Sequence, residues 1–130
     1  MKFKFHKIGG IAAIAVWIII FLLSACKVDT LNSGDSSTIK KWILEGALIV
    51  DVRTPEEFKT SHYKDSINIP LGDMEKNMEI FGDKDRPIIV YCRSGSRSEK
   101  AKKILEEHGY IQVLNAGAFS KMPEWVFIKN

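Results

Sequence analysis

Two short stretches decide what this chain can fold into. Ala47-Leu48-Ile49-Val50-Asp51-Val52 and Pro87-Ile88-Ile89-Val90-Tyr91 are nearly unbroken apolar runs rich in β-branched residues. A strand with one wet face alternates apolar and polar residues, whereas a strand covered on both faces does not. Doubly covered strands belong to mainly parallel sheets, whose crossover connections lay helices on each face. An α/β fold with a mainly parallel central sheet and helices on both faces is therefore expected.

The segments around the two runs suit that architecture. Ser37 or Thr38 is placed to cap a helix with Ile39, Trp42 and Ile43 on one face, and Gly46 stops it. Pro55, with Glu56 and Glu57 beside the positive helix end, opens a short helix through Phe58. Ile67 to Ile69 reads as a short strand closed by Pro70. Leu71, Met74, Met78 and Phe81 recur at near-helical spacing and predict a helix over 71 to 81, with turn residues from Gly82 to Asp85. A longer helix from Ser96 to about His108 buries Ala101, Ile104 and Leu105 and ends at Gly109. Tyr110 to Leu114 supplies a last strand, and the tail from Met122 to Ile128 brings Trp125 and Phe127 over the core. Length argues for one domain: the chain has 130 residues.

Its first 25 residues stand apart. Lys2, Lys4 and Lys7 precede an apolar run from Ile8 to Leu23, the pattern of an export signal. The run alone does not separate a signal from a membrane span, which needs about 20 apolar residues. Leu23-Ser24-Ala25-Cys26 resembles the bacterial lipobox, which implies that Cys26 becomes the lipidated first residue of the mature chain. The expected organisation is a lipoprotein signal peptide at 1–25, a polar tether at 26–37 and a folded domain at 38–130. Two acyl chains at one residue anchor a protein stably, each buried methylene contributing about 0.8 kcal/mol. The expected location is the periplasmic or other extracytoplasmic face of a membrane. Setting the three leading lysines aside leaves 16 basic against 16 acidic residues, so no electrostatic footprint for nucleic acid remains. A monomer is expected.

Only two cysteines are present, Cys26 and Cys92. An exported protein ordinarily uses cysteines in pairs, so once Cys26 is lipidated, Cys92 is the residue to explain. It lies where an apolar strand turns into a helix, and ligands on open α/β sheets sit at the carboxyl ends of strands. In the loop Cys92-Arg93-Ser94-Gly95-Ser96-Arg97-Ser98, small residues let successive N–H groups converge on one point, and the following helix aims its positive end there. That environment favours a thiolate.

At this loop the chain resembles the rhodanese family. Asp51-Val52-Arg53 with Pro55-Glu56-Glu57-Phe58, then His62, Ser66-Ile67-Asn68-Ile69-Pro70, the loop from Cys92 to Ser98, and Asn115-Ala116-Gly117 follow the ordered motifs of single-domain rhodaneses. The likeness covers about Thr38 to Trp125 and is similar to the exported phage-shock-protein-E-like group. The sequence departs from that pattern at Tyr63-Lys64-Asp65, where a Pro-Gly or similar turn is usual, and at Ala116-Gly117-Ala118, where a second glycine is common. The resemblance implies a thiosulfate sulfurtransferase with Cys92 as nucleophile and persulfide carrier. It implies that Arg93, Ser94, Gly95, Ser96, Arg97 and Ser98 bind the substrate, with a small-molecule sulfur donor and acceptor and no metal or organic cofactor.

Four residues separate Cys92 from Arg97, whereas thiol phosphatases and arsenate reductases use a loop one residue longer, sized for a tetrahedral oxyanion. Asp51 and Arg53 are read as structural partners at the sheet end, and His62 as a hydrogen-bonded turn residue rather than a base. His108 suits a helix C-terminus. The charges of Glu99, Lys100, Lys103, Glu106 and Glu107 form a solvated helix face. The alternative to an enzyme is a non-catalytic rhodanese-like sensing or interaction module in the cell envelope, read through the state of Cys92.

Overall fold

The computed structural model describes residues 34–123 and the strand at 127–129. Helix α1 spans Ser36–Leu44 and is followed by strand β1 (Leu48–Asp51), helix α2 (Pro55–Thr60), and strands β2 (Ser61–Tyr63) and β3 (Ile67–Asn68). Strand β4 (Ile88–Cys92), helix α3 (Ser96–Glu107), and strands β5 (Val113–Ala118) and β6 (Phe127–Lys129) complete the order. Short 3-10 turns occupy Leu71–Asp73, Glu75–Phe81 and Phe119–Lys121.

The central sheet runs β3-β1-β4-β5, with every neighbouring pair parallel. This is the expected α/β architecture. The two apolar runs lie side by side in it, Leu48 opposite Ile88 through Asp51 opposite Tyr91. Strand β4 is interior, and each of its five residues is fully buried. Alternation along the strands divides the core. Val50, Ile88, Val90 and Cys92 pack with Ala101 and Leu105 of α3 and with Met74 and Phe81. Ile49, Ile89 and Tyr91 pack with Ile39 and Trp42 of α1, Tyr63 and Met122. Helices therefore cover both faces. Each fully buried Ile or Val contributes roughly 1.5–3 kcal/mol, so the two runs anchor the fold as well as define it.

The local elements differ from expectation in four places. Asp35 caps α1, its Oδ1 accepting the Thr38 N–H at 2.8 Å and the Ser37 hydroxyl at 3.0 Å. A carboxylate is favoured there over the hydroxyls of Ser37 or Thr38 because it also meets the positive helix end. The fold reaches further back than Thr38. The Gly34 N–H donates to the Asn115 carbonyl at 3.1 Å, so residues 34–37 of the expected tether belong to the domain.

The segment 71–81 is 3-10 rather than α. Gly72 is a poor helix former, and Asn77, at φ −123°, sends its amide to the Asp73 carbonyl at 2.7 Å. Bonds such as Asn77 N–H to the Met74 carbonyl span three residues instead of four. The spacing of apolar residues still found the core, since Met74 and Phe81 are both fully buried.

The last central strand runs from Val113 to Ala118, not from Tyr110 to Leu114. Tyr110 instead closes the preceding turn, its hydroxyl donating to the Met78 carbonyl at 2.8 Å, while the Ile111 N–H donates to the Lys84 carbonyl at 2.9 Å. Asn115, Ala116 and Gly117 lie within β5, where the register slips opposite Val90 and Tyr91. A small second sheet was also unforeseen: β2 and β6 pair antiparallel, with His62 opposite Ile128. The expected signal peptide, Cys26 and the tether up to 33 lie outside the described residues, as do Trp125 and the side chain of Phe127.

Candidate active site

The loop after β4 is built around one sulfur. Cys92 ends the strand with no exposed surface, and α3 starts at Ser96. Between them Gly95 adopts φ +98°, and a Cβ there would meet the Gly117 Cα at 3.4 Å. Glycine is favoured there by the backbone conformation, with β5 in van der Waals contact. That turn points the Gly95 N–H at the Cys92 Sγ, 3.0 Å away. The backbone N–H groups of Ser94 and Ser98 also serve the sulfur. The Ser98 hydroxyl lies 3.5 Å from the Sγ, 3.0 Å from the Gly95 carbonyl and 3.4 Å from the Gly117 carbonyl. Having one proton, it donates to one of these at a time.

Burial pushes the Cys92 thiol up, and the hydrogen bonds from Ser98, Ser94 and Gly95 outweigh it, leaving the thiol below its ordinary value. A sulfur so held is a better nucleophile near neutrality, because the thiolate is the reacting form. The same amides can solvate a second sulfur bonded to the first.

Arg97 has a partner that the sequence did not reveal. Its guanidinium grips the Glu57 carboxylate with bonds of 2.7 and 3.0 Å. Glu57 also accepts the Thr54 N–H at 3.0 Å and returns its own N–H to Thr54 Oγ1, forming a capping box at the start of α2. The hydrogen bond from Arg97, against the opposing effect of burial, lowers the Glu57 carboxyl to about 2. Arg93 is exposed and makes no ion pair among the described residues. Ser94 is exposed beside it, and exposed Ser96 opens α3.

Asp51 and Arg53 form a buried pair at the end of β1. Arg53 Nη2 donates to Asp51 Oδ2 at 2.6 Å, and Arg53 Nε lies 2.9 Å from both carboxylate oxygens. Arg53 also donates to the Ser61 carbonyl at 2.7 Å and stacks 4.5 Å from the centre of the Phe119 ring. The Asn68 amide ties the same corner together, donating to the carbonyls of Asp51 and Arg53 at 3.0 Å each. His62 is held by its own neighbour in the chain. Its Nδ1 is 3.0 Å from the Phe58 carbonyl, and its ring stacks on Phe58 with centres 4.0 Å apart.

A cleft of about 380 Å³ opens beside the loop, lined by Arg53, Glu57, Thr60, Ser61, Arg93, Phe119 and Ser120. Two of these residues neighbour the reactive position, one along the chain and one across the sheet. Arg93 follows Cys92, and Phe119 follows Ala118, the partner of Cys92 in the sheet. Of this lining, the sequence singled out Arg53, Glu57 and Arg93, Glu57 as a helix-start and motif residue. Thr60, Ser61, Phe119 and Ser120 carry no signal of their own, because folding alone brings three distant segments together. Among the described residues, no group of three His, Cys, Asp or Glu side chains is placed to hold a metal ion.

Comparison with known proteins agrees with this geometry. The family model for the rhodanese-like domain matches residues 36–121. The thiosulfate sulfurtransferase PspE of Escherichia coli is 42% identical over 69 residues, a match covering 52% of this chain and 66% of that protein. A sulfurtransferase of Allochromatium vinosum is 36% identical over 86 residues, covering 65% of this chain and 79% of the relative. The solved structure of a rhodanese with anions from Escherichia coli superposes with a TM-score of 0.59 at 36% identity, covering 65% of this chain and all of that one.

Proposed function

Because the chain belongs to the rhodanese-like domain family, we propose that it moves sulfane sulfur from thiosulfate to a thiophilic acceptor through a persulfide on Cys92. The observation that carries this is the Sγ of Cys92 at the end of β4, 3.0 Å from the Gly95 N–H, with its thiol drawn below its ordinary value by the loop hydrogen bonds against the opposing effect of burial. The thiolate attacks the outer sulfur of thiosulfate. A bond forms between Cys92 Sγ and that sulfur, the sulfur–sulfur bond of the donor breaks, and its electron pair leaves with sulfite. Cyanide or a thiol then takes the outer sulfur, and the electron pair of the broken bond returns to Cys92. Each half-reaction conserves charge, and sulfite is a good leaving group, so no general acid is needed.

Arg93, exposed and unpaired among the described residues, draws the anionic donor to the loop. The charge of Arg97 is balanced by Glu57, so Arg97 acts as a positioning residue that holds the start of α3 against α2. Cys92 has no exposed surface with the loop in this conformation, and Arg93 and Ser94 are the exposed loop residues that follow it. Protein incubated with thiosulfate and measured intact by mass spectrometry should carry one added sulfur, located on Cys92. Thiocyanate should form when cyanide is added, and Cys92→Ser should abolish both. Absence of adduct and thiocyanate in the unaltered protein would sink the assignment.

The same chain is proposed to be exported and anchored to a membrane through lipid on Cys26. The basic start, the apolar run and Leu23-Ser24-Ala25-Cys26 support this. Labelled palmitate should enter the protein in bacterial cells, and Cys26→Ala should prevent it.

A further inference from the structure

We infer that Asn115 and Glu99 act together as positioning residues for Cys92, fixing a bulge in β5 against the first turn of α3 so that the Gly95 N–H stays aimed at the sulfur. What the sulfur is used for rests on the transfer function proposed above; how it is held does not. Along the pairing of β4 with β5, Val90 stands opposite Asn115, but Tyr91 stands opposite Gly117 and Cys92 opposite Ala118. Ala116 is therefore an extra residue, and in an unbroken ladder Gly117 would have faced Cys92 instead. Gly117 takes φ +77° where the ladder resumes.

One buried amide holds this bulge. Asn115 Oδ1 accepts the Gly117 N–H at 2.8 Å, closing a turn two residues on, and Asn115 Nδ2 donates to Glu99 Oε2 at 2.8 Å. The two ends cannot be exchanged, since the oxygen meets a donor and the nitrogen a carboxylate. Glu99 lies in the first turn of α3, and its own N–H donates to the Gly95 carbonyl at 3.0 Å. On the other side, a Cβ built on Gly95 would come 3.4 Å from the Gly117 Cα. The buried Ser98 hydroxyl lies between these walls, 3.0 Å from the Gly95 carbonyl, 3.4 Å from the Gly117 carbonyl and 3.5 Å from the Sγ. The Asn115 amide thus fastens both sides of the sulfur cradle, β5 through Gly117 and the helix start through Glu99. Gly95 brings no side chain of its own to cap α3. Once that fastening is lost, its peptide can turn the N–H away from the sulfur.

The test follows alkylation of Cys92 by iodoacetamide against pH, read by peptide mass, in the full chain and in three variants. Glu99→Gln and Glu99→Ala remove the same negative charge from the start of α3, so the difference between them isolates the hydrogen bond to Asn115. Glu99→Gln keeps an oxygen that accepts from Asn115 and should titrate at or below the unaltered protein, because a negative charge near the helix start is gone. Glu99→Ala should titrate about half a pH unit above Glu99→Gln, about a threefold loss of thiolate below the midpoint. Asn115→Ala loses both bonds and should titrate above the unaltered protein by at least as much. The kcat/KM for thiosulfate should fall in the same order below the midpoints and recover above them, whereas a chain that is merely damaged is slow at every pH. Equal midpoints in the two Glu99 variants overturn the inference, even where Asn115→Ala does not fold. Shifted midpoints in a protein that forms no persulfide uphold the positioning role and overturn the sulfur-transfer function.

Discussion

Arg97 and Glu57 stand 40 residues apart in sequence and meet through two hydrogen bonds of 2.7 and 3.0 Å. The contact fastens the first turn of α3, which follows the Cys92 loop, to the capped first turn of α2. Both helix starts are thereby fixed to each other, and the amides that face the sulfur inherit a rigid frame. Arg97 spends two of its five N–H donors on Glu57, whereas Arg93 is exposed and makes no ion pair among the described residues.

Removing the charge of Glu57 should expose this frame as a pH-dependent contribution to stability. The folded carboxyl sits at about 2, below its ordinary 4.5. A lowered carboxylate stabilises the fold fully above the ordinary value and loses that contribution as pH falls toward the folded one. Glu57→Gln is expected to be about 1–2 kcal/mol less stable than the unaltered protein at pH 7. Urea denaturation repeated at lower pH should find the gap closing between pH 4.5 and 2; a gap independent of pH would place the effect elsewhere.

The thiol of Cys92 should titrate below that of a free cysteine. The rate of alkylation by a small reagent, followed against pH, gives its midpoint. Gly95→Ala should raise that midpoint, because alanine is strained at φ +98° and the N–H facing the sulfur turns away. Ser98→Ala should also raise it by removing one hydrogen-bond donor, with little change in fold stability. Unchanged midpoints in both variants would mean that the amide ring does not set the thiol's acidity.

Asp51 should be among the least replaceable residues for folding. It is fully buried and neutralises Arg53, whose guanidinium stays charged because Asp51 outweighs the opposing pull of burial. Asp51→Asn leaves that cation buried without a counter-charge, which costs about 3–5 kcal/mol. Thermal unfolding measured by circular dichroism should place this variant well below Glu57→Gln in midpoint. Equal midpoints would contradict the assignment.

Asp65 occupies a turn at φ +60°, a conformation that glycine, asparagine and aspartate tolerate and β-branched residues do not. Asp65→Val should destabilise by about 1–2 kcal/mol, while Asp65→Gly should stay within about 0.5 kcal/mol of the unaltered chain. Chemical denaturation distinguishes the two. Here the structure explains a departure from the family pattern: aspartate takes the backbone position that the usual glycine would fill.

Much of this architecture could be read in the sequence, for physical reasons that stop at a definite point. Runs such as Pro87 to Tyr91 announce strands buried on both sides, because five consecutive apolar residues, rich in β-branched types and bounded by turn residues, are too short for a helix and too continuous for a strand with one wet face. The Cys92 loop could be read because its small residues and its place after a strand are local properties. Distant pairings could not. Nothing in the capping box of Thr54 and Glu57 predicts Arg97 as a further partner, since the box satisfies the helix end without it. The spacing of Leu71, Met74, Met78 and Phe81 identified the side facing the core but not the tighter coil, as a mixture of threes and fours fits both. Tyr110 looked like a strand residue by type and proved to be a plug whose hydroxyl closes the turn around Met78.

Neighbours on β4 face opposite sides of the sheet, with Tyr91 in one half of the core and Cys92 in the other. Parity therefore governs how this fold can be altered. Inserting or deleting a single residue between Ile88 and Cys92 would send the sulfur toward α1 and the tyrosine ring toward α3, away from the amides that serve each of them. Only changes by an even number of residues preserve the assignment of faces, so variants and redesigned chains that keep the sulfur on the α3 side must keep the parity of this five-residue strand.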